Sequence, residues 1–176
     1  MPVRVTEFDR DNIDFANAIM RKHHPDLHNA GVTVEYLFVH NAEDYPMRTR
    51  GQRVLGKVKI MSQEDRAMGS ADARIKIDEG WWMESDDKAR EALLDHEFTH
   101  LQLVDATQKD MDAGNVIGKW KTDNNGRPKL RLRHHDYEIG IFLSVIEKHK
   151  EHAADLMVVK QVNHAVRPLV QGVFWG

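Results

Sequence analysis

His96-Glu97-Phe98-Thr99-His100 constrains this chain more than any other segment. Residues four apart on an α-helix share a face, so a helix here brings two imidazoles onto one metal ion. The glutamate between them lies beside that face, where it can take a proton from a water held at the ion. The H-E-x-x-H spacing therefore calls for a helix, a metal and a third ligand from elsewhere in the chain. Scattering the same His and Glu residues at random would produce the pattern about 4% of the time. The flanks lower that risk. Lys88 to Asp95 is rich in helix formers and free of Gly and Pro. Ser85 and Asp86 offer N-cap oxygens, and Leu94, Phe98 and Leu101 give the helix an apolar stripe to bury. The plainer reading, two surface histidines on an ordinary helix, leaves that agreement a coincidence.

At 176 residues the chain is long enough for one domain with a real core. It has no cysteine, which excludes a disulfide framework and any Cys-based zinc site. No apolar run approaches the roughly 18 residues of a membrane span, so a cytoplasmic protein without a membrane partner is expected. A net charge of −3 does not mark a nucleic-acid binder. Most of the 11 histidines read as ordinary surface or hydrogen-bonded residues, since one ion takes only two or three.

The pattern along the chain is α+β. Asp11 to His23 reads as an amphipathic helix with Phe15, Ile19 and Met20 on one side, ended by Pro25. Val32–Val39, Val54–Met61 and Ala73–Asp78 read as strands, with Ile75 and Ile77 opposing Arg74 and Lys76. Ser62 to Asp72 reads as a polar, partly mobile connection, and the stretch up to Gly51 as a loop. One of Trp81 and Trp82 is expected in the core. Gly118–Lys121 and Lys129–Arg133 flank Asp123-Asn124-Asn125-Gly126 as a hairpin. A second helix is expected from His135-Asp136 through Lys148, with Ile139, Phe142, Leu143 and Ile146 inward. Another is expected within Ala153–Val166, and the apolar tail Val170–Gly176 is expected to dock on the core. This makes a single domain, 1–176, with its core over about 32–150 and a C-terminal extension over 151–176.

The third ligand is expected from Arg133-His134-His135-Asp136-Tyr137-Glu138. His135 is the first choice and Glu138 the competitor, with Asp136 and His134 behind them. Asp136 or Glu138 can accept a ligand's second N–H and so fix its tautomer. With Zn2+ in place, Glu97 acts as general base, and Tyr137 or His134 can donate to the oxyanion. Imidazole ligands favour zinc, although other divalent ions fit such sites. A protein or peptide substrate is expected to lie as an extended strand against a sheet edge, with Arg74–Asp78 the first candidate for that edge. Arg127, Lys129, Arg131 and Arg133 alternate, so on a strand they share a face that can attract an acidic peptide or a phosphate backbone. A solvated hairpin face is the favoured reading, and nucleic acid a secondary one.

Ala92–Leu101, followed after the hairpin by His135-Asp136-Tyr137-Glu138 and preceded by the tryptophan pair, resembles the phage and prophage metallopeptidases. The likeness covers roughly Val32 to Lys150. It implies a zincin-like core, a zinc site and a phage or prophage origin within a bacterial host cell. It also implies His96, His100 and His135 as ligands and Glu97 as base. Ile139 stands where a second acidic residue is expected, which argues against a carboxylate relay there. A looser likeness is to SprT-type proteases, which act on proteins bound to DNA, but no zinc ribbon is present. The alternative is a non-catalytic zincin-fold binding protein that blocks or sequesters a host factor. The intact Glu97 favours the enzyme, because a purely structural site needs no general base.

Overall fold

The computed structural model describes residues 3–41, 47–49, 52–135, 142–156 and 159. The chain opens with β1 (Val3–Glu7), then α1 (Arg10–His23), capped by Asp9, whose carboxylate accepts from the Asn12 amide at 2.9 Å. Pro25 cannot continue that helix and instead opens the short α2 (Pro25–Asn29). There follow β2 (Val34–Asn41), the small strands β3 (Arg48–Thr49) and β4 (Gln52–Arg53), and β5 (Gly56–Ile60). Next come α3 (Gln63–Ala67), β6 (Ala73–Asp78), α4 (Glu79–Glu84) and the motif helix α5 (Asp87–Thr99). The remaining elements are β7 (Leu101–Leu103), α6 (Gln108–Asp112), β8 (Val116–Ile117), β9 (Trp120–Lys121), β10 (Leu130–Leu132) and α7 (Leu143–His149).

The main sheet is mixed, in the order β1-β2-β6-β5, with β2 and β6 parallel and the other pairs antiparallel. This is an α+β fold. The strand expected to be a free edge, Ala73–Asp78, has a neighbour on each side; the edge next to it is β5. The alternation in β6 holds, since Ile75 and Ile77 are fully buried while Arg74 and Lys76 reach the other face. Tyr36 and Phe38 extend the inner face, and α1 and α5 pack there through Ala16, Ile19, Leu94 and Phe98. Trp82 is 1% exposed among Phe8, Phe15 and Phe38, and Trp81 is half-buried. Burying one such ring stabilises the fold by about 2–3 kcal/mol.

Several expectations change in the folded chain. The polar connection 62–72 contains α3, and Arg66 and Asp72 within it form a buried ion pair that also takes in Arg127 and Asp123. Arg127 is thereby drawn inward to Thr33 and to the carbonyls of Arg66 and Ser70, and Arg133 lies over the Phe142 ring. The four alternating cations thus do not form one solvated face. The Asp123–Gly126 turn is present, with Gly126 at φ 72° and its amide bonded to the Asp123 carbonyl at 3.1 Å. The flanking segments pair beside the turn, through the Thr122–Pro128 antiparallel bridge and the Lys129 amide on the Lys121 carbonyl at 2.9 Å, so the hairpin forms there. Further out, β10 pairs with β7, and β9 with β8. Leu101 belongs to β7, because α5 ends at Thr99. His135 follows β10 in a non-helical segment, and the helix expected to start at that residue is described from Leu143. Asp136, Tyr137, Glu138, Ile139, the tail 170–176 and most of 157–166 lie outside the described residues.

Candidate metal centre

Helix α5 presents both motif histidines on one face because its ends are secured. The Asp86 carboxylate caps it by accepting from the Ala89 amide at 2.8 Å. His100, at the C-cap, keeps helical backbone angles (φ −68°, ψ −24°), so the four-residue spacing survives to the last position. Beyond it the chain turns into β7, and β10 returns alongside to deliver Arg133 and His135.

His96, His100 and His135 converge: their nearest ligand atoms all lie within 4.8 Å of one another. The Nε2 atoms of His96 and His135 are 3.2 Å apart. The other ring nitrogen is held in each motif histidine. His96 Nδ1 lies 2.8 and 3.0 Å from the two Asp155 oxygens, and His100 Nδ1 lies 2.7 Å from the Arg133 carbonyl. A carboxylate and a carbonyl can only accept, so both Nδ1 atoms carry a proton, and in the neutral rings the Nε2 atoms keep the lone pair a metal needs. The donor set fits a divalent ion: three imidazoles converge on one point, and two of them are held from behind at their second nitrogen. Phe142 backs the group, its ring 4.8–5.0 Å from all three imidazoles. Its amide also ties Asp155 Oδ2 at 2.7 Å.

Electrostatics differ within the group. Burial, together with the positive fields of His96 and His135, lowers His100 to about 4 against the pull of the Arg133 carbonyl. Burial also lowers His96, but Asp155 and Glu97 overcome it and leave its pKa raised. Glu97 is 3% exposed, and burial lifts it to about 7 with help from Asp155. His96 and a hydrogen bond from the Val58 backbone pull it the other way.

Gly56 in β5 explains how that carboxyl group fits. A Cβ at Gly56 would overlap Glu97 Oε1 and lie 2.8 Å from its Cδ. Only a residue without a side chain lets the glutamate lie against the strand.

Of the other residues singled out in the sequence, His134 is exposed and is not among the converging imidazoles. Tyr137 and Glu138 lie outside the described residues. Sequence reading missed Asp155 and Gly56. An isolated Gly in a strand pattern is a signal of close backbone approach and can be used as one. Asp155 carries no local signal, since its partner is 59 positions away.

A second polar cluster sits one residue before the motif. Asp95 is fully buried and accepts from His24 and His149 at 2.7 Å each and from Lys148 at 2.8 Å, joining α1, α5 and α7.

A family model described as "Putative phage metallopeptidase" matches residues 8–168. No curated protein and no solved structure matches the chain.

Proposed function

We propose a zinc-dependent peptidase, from the premise that the chain belongs to the phage metallopeptidase family. The observation that carries the reading is the convergence of three imidazoles beside a buried glutamate, with the second nitrogens of both motif histidines already engaged. His96, His100 and His135 would hold the ion in a zincin-like site. When bound, zinc polarises a substrate carbonyl and makes water acidic enough to act as a nucleophile near neutral pH.

The protein groups then do the rest. Glu97 receives the proton of the attacking water and returns it to the leaving amine, and its burial, which favours the protonated form, helps it to hold the proton between the two transfers. Gly56 and the Val58 backbone keep its carboxyl group in place. Asp155 and the Arg133 carbonyl hold the ligand tautomers. His134 or Tyr137 would supply the oxyanion donor. Because β5 is the sheet edge beside Glu97, an extended peptide would add to the sheet there.

The deciding experiment is elemental analysis of the purified protein. About one zinc per chain is expected, lost in His96→Ala and in His135→Ala. Retention of a full complement in His135→Ala would move the third ligand to Glu138. No zinc in the wild type after supply of the metal would favour the non-catalytic binding protein.

Asp155 gives a finer test. Asp155→Asn keeps shape but loses the charge behind His96, and zinc affinity is expected to fall by about 10–100-fold with the fold unchanged. Competition with a chromophoric chelator measures it, and an unchanged affinity would remove Asp155 from the account.

A further inference from the structure

The outer face of the sheet beside Glu97 carries an unusual register. β5 and β6 pair so that Lys57 lies directly across from Lys76, and Lys59 across from Arg74. Like charges directly opposite one another destabilise a sheet. Arg74 is neutralised by Glu35 at 2.7 Å. Asp65 acts on Lys59 only through its longer-range field, without an ion pair. Among the described residues, Lys57, Lys59 and Lys76 have no ion-pair partner within 4.0 Å, and Lys57 and Lys59 are exposed.

The hydrogen-bond pattern shows which way this strand faces. The Leu55 carbonyl and the Met61 amide bond to Asp78 and Asp72, so odd-numbered residues turn their backbone groups toward β6. Gly56, Val58 and Ile60 therefore turn theirs to the free edge, where the Val58 backbone meets Glu97. A strand added along that edge places alternate side chains on the outer face, beside Lys57 and Lys59, whichever direction it runs.

We infer that Lys57 and Lys59 select substrates, favouring peptides with acidic side chains at two alternate positions beside the scissile bond. The inference rests on the peptidase reading and on β5 as the docking edge, and it names the substrate class. Two complementary cross-strand pairs amount to roughly a tenfold preference in kcat/KM.

The test uses the zinc-loaded full chain and two quenched-fluorescent peptide pools, one with Glu and one with Lys at alternate positions and otherwise randomised. The wild type is expected to cut the Glu pool about tenfold faster. Lys57→Glu/Lys59→Glu is expected to reverse the order while zinc content stays at the wild-type value and Tm does not fall. Equal cutting of both pools, or a preference that survives the double reversal, overturns the inference and leaves the peptidase reading standing. Salt-sensitive binding of duplex DNA that the double variant loses, with cleavage preference unmoved, assigns the lysines to nucleic acid and also overturns it. Failure of zinc-loaded wild type to cut either pool or denatured casein sinks the peptidase reading and this inference together.

Discussion

Glu97→Gln is expected to lower kcat by about 10²–10⁴-fold while zinc content and Tm stay at wild-type values. The amide has the size and shape of the carboxylate, so it still fits against Gly56 and can still accept from the Val58 backbone through its oxygen. What it cannot do is accept a proton from water. The Glu97 charge also helps to raise the His96 pKa, but both motif histidines stay held at their second nitrogens by Asp155 and the Arg133 carbonyl. The substitution therefore separates proton transfer from metal binding. Initial rates on denatured casein, with elemental analysis of the same preparation, provide the readout. Activity equal to wild type would sink the general-base role. Loss of zinc would mean that Glu97 helps to build the site.

Asp95→Ala is expected to destabilise the fold by about 3 kcal/mol, or roughly 10 °C in Tm. It leaves His24, His149 and Lys148 facing a void where a fully buried acceptor had been. Lys148 is 38% exposed and can turn to water, which keeps the loss at the low end for a broken buried pair. Burial alone would raise the Asp95 pKa. The hydrogen bonds from His149, His24 and Lys148 outweigh it and hold the carboxylate well below its usual range. The sign follows from that depression. The contribution of the ionised form is complete above the usual carboxylate pKa near ~4 and is lost as pH falls below it toward the depressed folded value. Thermal melts of wild type and Asp95→Asn should thus differ most at neutral pH and converge in acid. A variant melting within a degree of wild type at pH 7 would remove the clamp from the account.

The parts of this molecule legible in its sequence are those written locally. Ala73–Asp78 announces a strand by alternation, and Asp87–Thr99 a helix by composition and its Asp86 cap. The pairing of strands is not local. The Asn-Gly turn was readable, yet β10 lies against β7 because Leu130 and Leu103 bury together, a choice that no spacing in the turn encodes. The nearness of His135 to the motif could be anticipated from its side chain, but its arrival by a non-helical segment after β10 could not. Asp155 and Asp95 show the limit most clearly. Each reads as an ordinary polar residue, and each acquires meaning only when 50 or more residues of intervening chain have folded back to it.

The scattering of the site along the chain has a bearing on how such a protein is made. Translation delivers Glu97 and the first two histidines together on one helix, then His135, and only later Asp155 and the α7 segment that holds it. A nascent chain paused after the motif helix already displays H-E-x-x-H but lacks the third nitrogen and the carboxylate that orients the first. On the proposed reading, metal binding waits for His135 and tightens when Asp155 arrives behind His96, so the site is completed in two stages as the chain emerges.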